Sequence, residues 1–335
     1  LPTSSTFFPE AWKPFYVSTP IAIFTDWSIT ISTFETTRQP LISGVFTAMT
    51  LPRTDEGAVD LQQLTHHMEF LLKAGIDGVV LNGATGEYCL TSADELGAML
   101  RCVREVGGEQ MKLIAAVGAA DTRETLLRVT AAESAGADGL LLPMPFFFPY
   151  QQQDLVAYAE EVAKHAKLPT LLYNLPSFTT PLEPLTTLKL VTEQPQIQGI
   201  KDSSGLLDTV RLLKDRAPKA NRVMGNDSAL HAALAEGLCD GVISGVSCVL
   251  PELMLALFRE AAKDARSGHS LRLKAALDEF IEWLVKLPVP WGLKVIAAER
   301  GLAKAEYPLP LSGARKELIQ RFAIWFRDNK GSLLA

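Results

Sequence analysis

The chain has 335 residues, 47% of them hydrophobic and 21% charged, an ordinary globular composition able to bury a large core. Its formal net charge of −6 argues against a nucleic-acid partner, whose phosphates would want a basic face. No run of about eighteen apolar residues occurs, so no membrane span is expected.

Residues 1–40 are rich in Thr, Ser, Pro and aromatics without a clear period. They lack the basic start and continuous apolar run of a signal peptide. The expectation is a poorly ordered extension, or residues upstream of the true start, with a short strand possible near 29–34. From residue 42 a rhythm begins. Strands are predicted at 45–50, 78–82, 113–117, 139–143, 170–173, 197–201, 222–224 and 241–244. Helical patterns separate them at 61–74, 92–106, 123–135, 155–167, 185–192, 206–216 and 229–236. Thr91 is a plausible cap for the second helix, with Glu95 nearby.

The strands are nearly continuous in Val, Ile and Leu, as expected when both faces are buried. Two phrases repeat, Ala74-Gly75-Ile76-Asp77-Gly78 and Ala135-Gly136-Ala137-Asp138-Gly139, with Gly237-Leu238-Cys239-Asp240-Gly241 as a looser third. Each is a helix stop feeding a strand, where glycine permits the left-handed conformation. Eight strand–helix alternations predict an α/β fold, a (β/α)8 TIM barrel, over residues 41–248. Further helical patterns at 251–265, 271–287, 291–299 and 314–326 predict a C-terminal helical extension over 249–335. A doubly wound open sheet is the alternative, but the first strand is followed by no glycine-rich phosphate loop.

Four cysteines, Cys89, Cys102, Cys239 and Cys248, form no CxxC pair and have no histidine at metal-ligand spacing. They are expected to be core or half-buried thiols in a reducing, cytoplasmic setting. The one histidine pair, His66-His67, lies inside a helical pattern and is expected on a solvated face rather than at a metal. No site suggests a metal or nucleotide cofactor.

In such a barrel the chemistry sits at the C-terminal ends of the strands. Lys201 ends an apolar strand and would point into the mouth. Desolvation there disfavours the ammonium form and frees the amine to attack a carbonyl. The alternative is a lysine ion-paired with Asp202. Tyr173 ends the preceding strand. Its phenol could shuttle protons beside an imine, or it could be a core aromatic. The turn Gly83-Ala84-Thr85-Gly86-Glu87 offers closely spaced N–H groups and the Thr85 hydroxyl, which suit a carboxylate. Gly225 and Ile243 at later strand ends, and Ser203 beyond Lys201, complete the candidate substrate contacts with Ala84 and Thr85.

Taken together these motifs resemble the dihydrodipicolinate synthase/N-acetylneuraminate lyase family of class I pyruvate aldolases, from about residue 42 to the C-terminus. The turn 83–87 is similar to that family's G-[ST]-T-G-E, which holds the pyruvate carboxylate, except at Ala84. Tyr173-Asn174-Leu175-Pro176 matches Y-N-x-P, whose tyrosine is the acid/base. Gly199-Ile200-Lys201 matches the segment whose lysine makes the imine. The resemblance implies a 2-oxo acid, pyruvate, and an aldehyde as partners, and a homotetramer built as a dimer of dimers. The Phe146–Phe148 run, too apolar to leave exposed, points to an oligomer as well.

The departures bear on the substrate. The synthases have a second threonine where Ala84 stands, a relay tyrosine where Phe147 stands, and a carboxylate-binding arginine where Phe178 stands. N-acetylneuraminate lyases prefer Ser at position 84 and Thr at Ser203. The expected reaction is therefore reversible cleavage or formation of a C–C bond between pyruvate and an aldehyde, from a 2-oxo-3-deoxy sugar acid or a less charged or aromatic partner. The alternatives are 4-hydroxy-tetrahydrodipicolinate synthase, a deoxy-sugar-acid dehydratase using the same lysine, and a non-catalytic 2-oxo acid sensor.

Overall fold

The computed structural model describes residues 39–334. The N-terminal extension and the strand expected near 29–34 lie outside the described residues, apart from the extension's last two positions. Eight parallel strands close in chain order into a barrel. They are β1 (Gly44–Ala48), β2 (Gly78–Leu81), β3 (Lys112–Ala116), β4 (Gly139–Pro143), β5 (Thr170–Asn174), β6 (Ile197–Asp202), β7 (Asn221–Met224) and β8 (Gly241–Ser244). The intervening helices are α1 (Leu61–Ala74), α2 (Ala93–Gly107), α3 (Thr122–Ser134), α4 (Gln152–His165), α5 (Pro184–Glu193), α6 (Asp208–Arg216) and α7 (Asp227–Ala235). The fold is the (β/α)8 barrel that the alternation of patterns implied.

The eighth helix, α8 (Pro251–Asp264), packs on α7 and α1 and closes the outer ring. The sequence pattern alone groups this stretch with the C-terminal helices. The helices beyond the ring are α9 (Gly268–Leu284), α10 (Trp291–Glu299) and α11 (Gly313–Leu333). Aromatic side chains join α9 to α11: Trp283 stacks on Phe322 with ring centroids 5.5 Å apart, and Phe280 meets Phe322 at 5.8 Å. No helix among the described residues is long and apolar enough to cross a membrane.

The repeated phrases have a structural cause. The aspartate of each precedes an even-numbered strand and grips the strand before it. Asp77 Oδ2 accepts from Val45 N (2.7 Å), Asp138 Oδ2 from Leu113 N (2.8 Å) and Asp240 Oδ2 from Arg222 N (2.8 Å). Each aspartate's own amide donates back to the same residue's carbonyl, at 3.1, 2.8 and 2.9 Å. These reciprocal pairs satisfy strand-start groups that the ladder leaves open. They need the helix to stop sharply just before, which Gly75, Gly136 and Gly237 allow at φ 80°, 80° and 62°.

Three expectations about single residues need correction. The cap of α2 is Ser92, one residue after Thr91: its hydroxyl accepts from Glu95 N and Glu95 returns a bond to Ser92 N, a complete capping box. His67 is fully buried, not solvated; its Nε2 lies 2.7 Å from the Cys248 carbonyl oxygen, while His66 bonds the Gly301 carbonyl at the surface. Of the thiols, Cys248 is buried and Cys102 and Cys239 half-buried, but Cys89 is exposed.

Candidate active site

Strand register brings the two principal candidates together. Tyr173 on β5 pairs directly with Lys201 on β6, so both side chains leave the sheet on one face. Their neighbours Leu172 and Ile200 pack outward under the helices, while Tyr173 joins the interior cluster. Lys201 is only 3% exposed, and its Nζ lies 4.1 Å from the centroid of the Tyr173 ring. Asp202, the partner considered for it, points elsewhere: its Oδ1 accepts from Asn174 Nδ2 (3.2 Å) and the Ser204 amide (2.8 Å). Among the described residues Lys201 has no ion-pair partner. An amine so placed is buried and held against an aromatic face.

Gly225 gives this lysine its room. A Cβ there would lie 2.6 Å from Lys201 Cε and 2.2 Å from Ser203 Oγ. The Ser203 hydroxyl is buried without a partner, and so is Asp227 Oδ1 at the start of α7. Burial pushes the Asp227 carboxyl up to about 6, against the opposing pull of the Ser244 hydroxyl, the Val246 amide and the Lys201 charge. Asp227 as a whole is half-buried, but this oxygen is shut from solvent.

The turn 83–87 follows β2. Inside it the amides of Gly86 and Tyr88 donate to Gly83 O, and that of Glu87 to Ala84 O. The amides of Ala84 and Thr85 donate to no backbone carbonyl among the described residues. The turn thus offers two neighbouring N–H groups without a backbone partner beside the nearly buried Thr85. The turn is bracketed by two non-glycine residues in the left-handed region, Asn82 at φ 61° and Glu87 at φ 54°. Asn82 is tied by its Nδ2 to Ala116 O (2.9 Å), and Glu87 Oε2 is met by Lys294 Nζ at 2.5 Å. Among the described residues no three His, Cys, Asp or Glu side chains gather as metal ligands.

The model for the dihydrodipicolinate synthetase family matches residues 41–324. The 4-hydroxy-tetrahydrodipicolinate synthase 1 of Streptomyces coelicolor is 35% identical over 274 residues, 81% of this chain and 88% of that protein. The crystal structure of dihydrodipicolinate synthase from Aquifex aeolicus superposes with a TM-score of 0.81 at 25% identity, covering 88% of this chain and all of that one. A chloride-inhibited dihydrodipicolinate synthase from Acinetobacter baumannii, complexed with pyruvate, gives 0.79 at 27% identity over 86% of this chain and 99% of that one. The chain belongs to the dihydrodipicolinate synthetase family.

A cavity of about 560 Å³ opens beside the turn, bounded by Ala84, Tyr88, Phe146, Phe147, Phe178 and Trp291, with Glu87 and Arg315 among its few polar neighbours. Phe146 bridges in β fashion to Thr179, so the loops after β4 and β5 are joined, and its ring meets Tyr88 edge-on at 5.5 Å. Phe147 is 83% exposed at φ 87°, a strained backbone for a bulky side chain. Arg315, on α11, donates to Lys286 O at 2.9 Å.

The structure therefore gathers Lys201, Tyr173, Gly225 and Ser203 into one contact group. Ile243 is buried in the interior cluster with Tyr173, and Ala84 and Thr85 sit on the turn after β2. Sequence reasoning missed Asp227, Lys294 and Arg315. Asp227 lay in the strand-end phrase Gly225-Asn226-Asp227, yet nothing local marks it as buried. Lys294 and Arg315 come from the terminal helices, which carry no motif.

Proposed function

We propose that this chain is a class I, imine-forming lyase or aldolase that makes or breaks a C–C bond between pyruvate and an aldehyde. The observation that carries the proposal is Lys201: a buried lysine at a strand end, without a carboxylate partner, its amine 4.1 Å over the Tyr173 ring. The amine adds to the keto carbon of pyruvate and water leaves, giving an imine. Loss of a C3 proton gives an enamine, whose carbon bonds to the aldehyde carbon. Hydrolysis then releases the product and regenerates the amine. Tyr173 moves protons at the addition and dehydration steps. The amides of Ala84 and Thr85 receive the carboxylate, and Ser203, Gly225 and Ile243 border the reacting carbons. The pyruvate-bound relative supports the choice of 2-oxo acid.

The aldehyde is expected to be weakly charged or neutral, or the polyol end of a 2-oxo-3-deoxy sugar acid. The walls facing it are Phe146, Phe147 and Phe178, and a carboxylate entering there must shed water against apolar surface. The biosynthetic reading, with aspartate semialdehyde as electrophile, draws on the printed names of the relatives and on Arg315, a cation at the cavity. Pyruvate offered with aspartate semialdehyde and a panel of neutral aldehydes, with product analysis, separates the two. A kcat/KM for the semialdehyde below ~10⁴ M⁻¹s⁻¹, with faster turnover of a neutral aldehyde, is the expected outcome. The reverse order establishes the synthase reading.

The assembly is proposed to be a cytoplasmic homotetramer, a dimer of dimers. Phe147, Phe148, Val289 and Leu309 are exposed apolar side chains, and Phe147, Val289 and Leu309 line one cavity, a surface suited to cover by a second copy. Free thiols suit a reducing compartment.

A further inference from the structure

We infer that Lys294, on a helix outside the barrel, is a positioning residue for the anion-receiving turn and sets the affinity for the 2-oxo acid's carboxylate. The inference rests on the proposal that a 2-oxo acid binds at this turn. The two free amides, of Ala84 and Thr85, lie between two residues that L side chains seldom place in the left-handed region, Asn82 and Glu87. A backbone so placed persists only where the surroundings over-determine it. Asn82 is held from within the barrel by Ala116 O. Glu87 is held from outside it. Its carboxylate meets Lys294 Nζ at 2.5 Å, and the same ammonium donates to Glu306 O at 3.0 Å.

Both members of the pair are sealed, Lys294 at 4% exposure and Glu87 at 7%. So little exposure weakens screening by water, and the charge-assisted bond favours one direction. A buried ion pair is a poor device for stability alone, because packed apolar side chains of similar volume do as well. Its use here is geometric. It pins the carboxylate of the last residue of the turn, two residues from the nearer free amide.

The neighbouring Leu293 lies close to the same part of the mouth. A Cβ on Gly245 would lie 3.2 Å from both Leu293 Cδ1 and Thr85 Oγ1, so helix and turn crowd the same glycine. Helix α10 thus reaches the turn through a charge and crowds the glycine that Thr85 also crowds. The terminal helices then complete the site rather than merely appending to it.

The test compares two ketones trapped by borohydride on the full chain: pyruvate, and acetone, which lacks the carboxylate. Lys294→Met is expected to raise the pyruvate concentration for half-maximal labelling about tenfold or more. Labelling by acetone should stay within about twofold of the unchanged protein. The double variant Lys294→Met/Glu87→Leu buries no lone charge and should recover thermal stability without recovering pyruvate affinity. It also carries the measurement if the single variant does not fold. Equal losses with both ketones, unchanged pyruvate affinity, or full recovery of affinity in the double variant would overturn the inference. An unchanged protein that pyruvate does not label would instead overturn the imine reading, and this inference with it.

Discussion

The two ends of the barrel are built to opposite standards. At the N-terminal end the strand starts are tied off: Asp77, Asp138 and Asp240 each exchange a pair of bonds with the strand before, and glycines take the left-handed positions. At the C-terminal end the accounts stay open. Asn82, Asp202, Ser203 and Asp227 each keep a buried polar atom without a partner. Among the described residues the three non-glycine positions with positive φ, Asn82, Glu87 and Phe147, all follow strand ends there. One end's residues hold the fold; the other end keeps polar groups and strained backbone at the mouth of the barrel.

The largest effect that would sharpen this contrast is at Tyr173. Tyr173→Phe is expected to keep the fold and some pyruvate binding but lose ~10²–10⁴-fold in kcat. Steady-state kinetics beside a thermal melt check it. An unchanged kcat would make Tyr173 a packing residue and the mouth an ordinary core.

Asp227 gives a pH signature. A carboxyl lifted by burial to about 6 holds its proton more tightly folded than unfolded. It therefore favours folding at pH below its ordinary value near 4, and that contribution is lost as pH rises through about 6. Asp227→Asn, which cannot ionise, should melt close to the unchanged protein at pH 4 and above it at pH 8, by up to on the order of 3 kcal/mol. A difference between the two proteins that does not vary with pH would show that Asp227 is solvated and uninvolved.

At the opposite end Asp138→Ala strips a partner from the Leu113 amide and from Arg104. The expected cost is about 2 kcal/mol of stability in denaturant titrations, with KM and kcat unchanged in the folded protein. A loss of activity without loss of stability would break the division between the two ends.

Much of this was legible from residue order. Eight apolar runs spaced by helical patterns specify the barrel because both faces of each strand are buried. Helix ends were less legible, since Thr91 and Ser92 both carry a hydroxyl and only Ser92 stands three residues before Glu95. That α8 belongs to the ring depends on its packing against α7 and α1, which its own period does not reveal. His67 followed the same logic: a helical pattern shows which positions share a face, not what covers that face. At the site, residue order places Lys201 and Tyr173 at strand ends, where the register pairs them, but it does not by itself give them roles, which come from the family resemblance. The Glu87–Lys294 pair joins positions 207 apart and leaves no local trace.

The central claim is that Lys201 forms the covalent bond to substrate. Borohydride reduction in the presence of pyruvate, followed by digestion and mass spectrometry, tests it most directly. The expected result is a single pyruvate-derived addition on the peptide carrying Lys201, absent from Lys201→Ala protein that still folds and melts cooperatively. A label on another lysine, or no label on a folded protein saturated with pyruvate, would contradict the account.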